Sequence, residues 1–369
     1  MKQSQRQRFL LISIVPPAFS LEQAEEDLSE LKSLVETYQG ATVVDIIQRR
    51  AHPDRATYIG SGKALEVAEI VQKKNIDVVV INGIVKASQL YHILKLCWDQ
   101  NARIQIWDRV DLILHIFANH AATSEAKLQI ELASMRHMGP SIYGLGESFS
   151  QQGGGVGTKG LGETNVELMK RHWRDEMRRK QEKLREMETN RLKQVERRHA
   201  LGLPTVSIVG YTNVGKTSLF NLLTGKEKLA KNVLFATLDS VVGKLYFKDI
   251  AKEVLISDTI GFIQNLPPGL IDAFKSTLME SVHADILLHV IDIADPKMEY
   301  KIEVVESILR DLKLVNRPKI YVFNKIDRVD KDILREVAEQ YSAFSPQFIS
   351  VLTGVGIKSL YYFLQEKFN

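Results

Sequence analysis

Gly210-Tyr211-Thr212-Asn213-Val214-Gly215-Lys216-Thr217-Ser218 follows the apolar run Thr205–Val209 and leads into Leu219, Phe220, Leu222 and Leu223. A strand, a loop bracketed by glycines and a helix opened by Lys-Thr form the arrangement that cradles phosphates. Gly210 and Gly215 let the backbone curl until its N–H groups face phosphate oxygens. The N-terminus of the following helix adds a favourable dipole. Lys216 offsets the β- and γ-phosphate charge, and the Thr217 hydroxyl is a ligand for Mg²⁺. The stretch therefore fixes a P-loop α/β domain, with residues 210–218 as its phosphate-binding segment.

Downstream runs select the base. Glu253–Ser257 reads as a strand delivering Asp258-Thr259-Ile260-Gly261. A carboxylate at a strand end, with glycine three residues on, supplies an Mg²⁺ ligand and an amide for the γ-phosphate. Ile320–Phe323 then leads into Asn324-Lys325-Ile326-Asp327. The Asp327 carboxylate matches the paired N1 and N2 donors of guanine, which adenine lacks, and an unpaired buried polar group is costly. Ser350-Val351-Leu352, inside Phe348–Gly354, offers backbone to the guanine oxygen. Phosphate loop, DxxG and NKxD in this order specify GTP and GDP rather than ATP.

Between the first two motifs lies Phe235-Ala236-Thr237-Leu238-Asp239. Thr237 is the expected switch threonine, binding Mg²⁺ only when GTP is present. Lys216, Thr237 and Gly261 are thus the groups expected to support hydrolysis, and Thr217, Thr237 and Asp258 to hold the metal. The position after Gly261, where a glutamine often orients the attacking water, is Phe262, and Gln264 is displaced. Slow intrinsic turnover completed by a partner is the expectation. The alternative is a water held by backbone and a K⁺ ion, with Asn213 as its ligand.

Outward from this block the chain changes character. It has 369 residues, one cysteine and a net charge of +4. A single Cys97, in the apolar helical run Leu94–Trp98, excludes an intrachain disulfide and reads as a core thiol. No run approaches the ~18 apolar residues of a membrane span. Arg6 and Arg8 before Phe9–Val15 and Pro16-Pro17 loosely imitate a signal sequence, but the apolar run is short and reads as a buried strand. Residues 203–369 carry 20 basic and 20 acidic side chains, whereas the first 202 carry 29 and 25, so the positive surplus is N-terminal. Such asymmetry hints at nucleic-acid contact.

Residues 1–125 alternate strand and helix. Phe9–Val15, Val78–Ile81 and Arg103–Trp107 are strands, and Ser20 with Gln23 is a capping box for a helix through Tyr38. Alternation of this kind predicts an α/β layer with a mostly parallel sheet. Residues 126–202 read as a two-helix coiled-coil hairpin: Ala126–Met138, a glycine-rich tip over 139–162, and a long basic helix over Glu163–Ala200. A solvated mixed-charge face is the plain alternative for that helix, and a linker for the tip. Pro204 breaks the chain before residues 203–369, the P-loop domain.

Taken together, Gly210–Ser218, Phe235–Asp239 and Asp258–Pro267 resemble the HflX family of ribosome-associated GTPases. So do Tyr58–Lys63, Asp108-Arg109, Glu125–Leu132 and Gln152–Glu163. The resemblance spans nearly the whole chain. It implies an α/β N-terminal subdomain, a helical hairpin and a GTPase domain. It implies binding to the large ribosomal subunit and its rRNA, with residues 153–162 reaching toward the peptidyl-transferase centre, and splitting of stalled or hibernating ribosomes under stress. A cytoplasmic monomer without stable membrane insertion is expected. Val351 stands where the family usually has alanine, and Leu238–Val242 departs from its usual switch sequence. The extra C-terminal module of some members is not expected. Two other readings remain: a ribosome-assembly or tRNA-modification GTPase, and an RNA-binding scaffold with slow GTP turnover. Gly60-Ser61-Gly62-Lys63 reads as a surface turn rather than an ATP site.

Overall fold

The computed structural model describes residues 6–152, 161–226, 241–259, 261–263 and 279–369, without the side chains of 140–152, 161–166, 199, 279 and 280. The chain divides into two compact units, Met1–Asn119 with Leu128–Lys183, and His120–Lys127 with Leu184–Asn369.

The first unit holds β1 (Arg8–Val15), α1 (Leu21–Thr37), β2 (Ala41–Arg49), α2 (Ser61–Lys74), β3 (Val78–Ile81), α3 (Ala87–Trp98), β4 (Gln105–Asp108) and α4 (Arg109–His120). Its sheet has the order β2-β1-β3-β4 with every pair parallel. Parallel strands are covered on both faces, which explains why β1 and β3 are continuous apolar runs rather than alternating ones. Leu10, Ile12, Val79 and Ile81 pack against α2 and α3 through Val67, Val71, Ile93 and Cys97. Phe9 instead meets Tyr38 and Trp107 edge-on, each at 5.8 Å between ring centroids. Ser20 and Gln23 form the expected capping box at the start of α1. Strand β2, with the β-branched residues Thr42, Val43, Val44, Ile46 and Ile47, was not among the strands expected. Gly60 caps α2 at φ +88°, so Ser61-Gly62-Lys63 is the first turn of a helix and not a surface turn.

Helix α5 (Ser124–Gln152) runs well past Met138, through part of the stretch expected to be a glycine-rich tip. Gly139, Gly144 and Gly146 stand singly there, and an isolated glycine costs a helix only about 1 kcal/mol. The dense cluster 153–160 lies outside the described residues. Helix α6 covers Leu161–Ala200 as expected. Lys180 of α6 pairs with Glu131 of α5 at 2.6 Å. Several of its cations are balanced within the helix, as in Arg178–Glu182.

The second unit holds β5 (Thr205–Gly210), α7 (Lys216–Thr224), β6 (Val241–Phe247), β7 (Lys252–Asp258), α8 (Met279–Val282), β8 (Ile286–Asp292), α9 (Met298–Asp311), β9 (Lys319–Asn324), α10 (Lys331–Gln340), β10 (Gln347–Phe348) and α11 (Ile357–Lys367). Its sheet order is β10-β9-β8-β5-β7-β6, parallel except for the antiparallel β6–β7 pair. Residues 241–242, read as part of a switch, are instead the first pair of β6. Strands β5, β7, β8 and β9 end side by side. Ile208 is in register with Asp258, Gly210 with Val290, and Asp292 with Asn324. In an open α/β sheet the carboxyl ends of the strands form the ligand crevice. Among the described residues, no helix is long and apolar enough to cross a membrane.

Candidate active site

The loop after β5 is shaped by positive φ angles at Gly210, Asn213 and Gly215, which are 150°, 63° and 99°. A Cβ at Gly210 would lie 2.3 Å from the Val290 carbonyl oxygen, and one at Gly215 would lie 2.4 Å from Asn324 Nδ2. Both glycines are therefore required by close approach as well as by conformation. Lys216 is the first residue of α7. Its Nζ donates to the Tyr211 carbonyl at 2.5 Å, inside the loop that it closes. Burial lowers its pKa to about 8, against a smaller opposing pull from Asp258. A phosphate brought to this ammonium would meet a cation already stripped of water, where charge interactions are strongest. Ser218 is half-buried in the same turn.

Thr217 donates through Oγ1 to Asp258 Oδ2 at 2.9 Å. Thr259 is different: its hydroxyl donates to the Ile208 carbonyl at 2.7 Å, fully buried, so the side chain ties two strands together and faces away from the crevice. Gly261 approaches the loop so closely that a Cβ would sit 2.8 Å from Thr212 Cγ2 and 2.9 Å from Lys216 Nζ. The next residue pairs with the P-loop backbone. Thr212 N–H donates to the Phe262 carbonyl at 2.8 Å, and Phe262 N–H donates to the Gly210 carbonyl at 3.1 Å. Tyr211 and Phe262 form a parallel bridge, with both side chains buried. Among the described residues, no glutamine side chain stands there. Phe235, Ala236, Thr237, Leu238 and Ile260 lie outside the described residues, as does Gln264.

At the other end of the crevice Asn324 joins two loops. Its Nδ2 donates to the Val214 carbonyl at 2.8 Å, while its Oδ1 accepts from Val351 N–H at 3.0 Å. Lys325, at φ 66°, donates from Nζ to the Asn213 carbonyl at 3.1 Å and to Asp292 at 2.5 Å. Ser350, fully buried, donates to Asp327 Oδ1 at 2.5 Å. Asp327 itself is exposed, and Leu352 projects outward at 86% exposure. The described residues of all four motifs thus meet along one edge. Sequence reasoning missed Asp292, whose signal was an acidic residue closing the apolar run 286–291, and Lys301, whose Nζ lies 5.0 Å over the Tyr211 ring.

Comparison with known proteins follows the same division. The family description "GTP-binding GTPase N-terminal" fits residues 25–118, "GTP-binding GTPase Middle Region" residues 120–198, and "50S ribosome-binding GTPase" residues 205–325. The GTPase HflX of Caldanaerobacter subterraneus subsp. tengcongensis is 42% identical over 326 residues, covering 88% of this chain and 74% of that protein. The GTPase HflX of Escherichia coli is 36% identical over 351 residues, covering 95% of this chain and 81% of its own. The chain belongs to the HflX family of GTPases. A GTP-binding protein from the hyperthermophilic archaeon Sulfolobus solfataricus, crystallised with GDP, superposes at a TM-score of 0.51 with 24% identity, covering 99% of this chain and 100% of that one, a likeness of fold. Membership makes this HflX-family chain a GTP hydrolase that binds guanine nucleotide, with an α/β fold built around a P-loop domain.

Proposed function

We propose that the chain is a GTP-driven switch that docks on the large ribosomal subunit and its rRNA, coupling GTP binding and hydrolysis to the splitting or rescue of ribosomes under stress. The observation that carries this reading is the joining, in one chain, of a guanine-type crevice to the middle region over 120–198. The description "50S ribosome-binding GTPase" over 205–325 supports the same partner. We take residues 1–125 as the N-terminal subdomain, 126–202 as the hairpin that meets rRNA, and 203–369 as the GTPase domain. Contact of its basic side chains with RNA phosphate would supply much of the affinity. A cytoplasmic monomer fits this role.

In this reading residues 210–218 wrap the phosphates, Lys216 neutralises their charge, Gly261 presents its amide to the γ-phosphate, and Asp327 reads the base with Ser350, Val351 and Leu352 beside it. Thr217 Oγ1 and Asp258 Oδ2 are suited to a common Mg²⁺. The hydrogen bond between them places both oxygens together at the mouth of the phosphate loop. That ion, when bound, would offset charge building on the phosphate oxygens. Thr237 would join Thr217 and Asp258 on it when GTP is present. With Phe262 in the glutamine's place and buried, nothing at that position orients a water, so slow intrinsic turnover follows. Ribosomal contact, or a K⁺ ion near Asn213, would complete the site.

The test is GTP hydrolysis with and without large ribosomal subunits, in Na⁺ and in K⁺ buffers, with Asp327→Asn as control. Stimulation by the subunit, with GTP preference lost in the control, supports the reading. Equal rates in the two buffers remove K⁺. Absence of stimulation, or stimulation only by tRNA or immature subunits, overturns the ribosomal role.

A further inference from the structure

A cluster far in sequence from the nucleotide crevice has the makings of a metal centre. Asp108 closes β4, Asp111 lies in the first turn of α4, and His137 sits on α5, all within the first compact unit. One oxygen from each carboxylate and one imidazole nitrogen all lie within 4.8 Å of one another. His137 Nε2 is 3.2 Å from Asp108 Oδ1 and 3.4 Å from Asp111 Oδ1.

His137 Nε2 keeps a hydrogen bond to Asp108 Oδ1 at the long end of the usual range, with Asp111 Oδ1 beside it. One N–H faces two acceptors, and both distances exceed the ~2.9 Å usual for such a bond. Tetrahedral ligands held about 2.0–2.1 Å from one ion lie ~3.3–3.4 Å apart.

The carboxylates are also fixed in advance. Asp108 Oδ1 accepts from Asp111 N–H at 2.9 Å, Asp108 Oδ2 from Val85 N–H at 3.1 Å, and Asp111 Oδ2 from Asp108 N–H at 3.1 Å. These backbone donors hold both groups from behind and leave Asp111 Oδ1 facing the imidazole, the kind of outer support that orients metal ligands. Among the described residues, His137 is the one basic side chain that pairs with the two carboxylates. Asp108 is fully buried and Asp111 largely so, yet among the described residues no lysine or arginine pairs with either. Arg109 turns away to Asn82 at 2.8 Å and Glu30 at 2.6 Å. An imidazole that coordinates is neutral, so a divalent cation would then offset both buried carboxylates. Of the three residues, Asp111 borders a cavity of about 520 Å³ lined also by His115, Met135, Trp173 and Lys180, which brings solvent to one side of the cluster.

We propose that Asp108, Asp111 and His137 form a mononuclear site for a divalent transition-metal ion, with Zn²⁺ the best-fitting occupant. A mixed nitrogen and oxygen donor set disfavours Mg²⁺ and Ca²⁺, which take oxygen. Bound there, the ion ties α5, the first helix of the hairpin, to the end of β4 and the start of α4.

The experiment uses the full chain, stripped with a chelator and saturated with Mg²⁺ and GDP so that the nucleotide crevice is filled. Zn²⁺ uptake is then followed by competition with a chromogenic chelator, alongside thermal melting. About one tight equivalent per chain is expected, with a melting point raised by Zn²⁺. His137→Ala and Asp111→Asn should each weaken uptake by more than the ~10–100-fold that loss of an outer-shell partner costs. Circular dichroism and GDP binding report whether each variant is folded. Absence of a tight equivalent in the wild-type chain overturns the proposal without any variant. So does uptake unchanged in either folded variant.

Discussion

The buried Ser350 hydroxyl donates to the exposed Asp327 carboxylate at 2.5 Å, and the same hydroxyl oxygen accepts from Thr353 N–H at 3.1 Å. A side chain with no solvent contact thus aims one that has much. Two charged hydrogen bonds to guanine, at about 1.5–3 kcal/mol each, amount to roughly two to four orders of magnitude in affinity. Asp327→Asn should lose that much GDP affinity and gain xanthosine diphosphate binding, as read by competition with a fluorescent nucleotide. Ser350→Ala should keep the base preference and weaken GDP by at most ~10–100-fold, the worth of one hydrogen bond to a charged group.

Gly215→Ala meets two obstacles at once, a φ of 99° and a Cβ 2.4 Å from Asn324 Nδ2. Strain of about 1–3 kcal/mol at a single backbone position should appear as ~10–100-fold weaker GDP binding in calorimetry, with the circular dichroism spectrum retained.

Lys216 makes nucleotide binding pH-dependent. Burial holds its ammonium pKa at about 8, against 10.5 when unfolded. Between those values the unfolded chain carries the extra proton, so the stability of the nucleotide-free chain rises from pH 8 upward and is flat below. Phosphate requires the charged form. GDP affinity should therefore fall above pH 8, with proton uptake visible as a buffer-dependent calorimetric enthalpy. Lys216→Met should abolish both effects and bind weakly at every pH.

Phe262 is 2% exposed against the P-loop. Phe262→Ala removes that burial and should cost about 3 kcal/mol, the lower end for a buried phenylalanine, measured by urea unfolding without nucleotide.

Cys97 is fully buried and its thiol is pushed up to about 11 by burial. The thiolate is the reactive form. Ellman's reagent at pH 7.5 should leave the folded chain unmodified and titrate one thiol after denaturation.

The contiguous parts of the site were legible because each motif is one loop at one strand end, and apolar runs beside 210–218, 258–261 and 324–327 announced the strands. Bonds that cross the sequence were not. Asn324 reaches Val214 across 110 residues and Lys325 reaches Asp292 across 33, and the registers of β5, β8 and β9 bring them together. Strand β2 went unread although Thr42-Val43-Val44 and Ile46-Ile47 are β-branched, because its apolar residues are interrupted by Asp45 and give neither a fully apolar run nor a clean alternation. The extension of α5 to Gln152 was hidden by Pro140, the strongest helix breaker in the stretch, and by glycines that a helix tolerates singly. His137 is 29 residues from Asp108, and nothing local marks the two as neighbours.

Asn324 holds Val214 with one end of its amide and Val351 with the other. In the proposed function, the clasp would make the phosphate grip and the base grip one template. A guanosine fragment and a pyrophosphate fragment should therefore not bind as independent halves: whichever arrives first sets the stage for the second. Severing that amide would turn a cooperative ruler, reading the nucleotide end to end, into two separate and weaker tests.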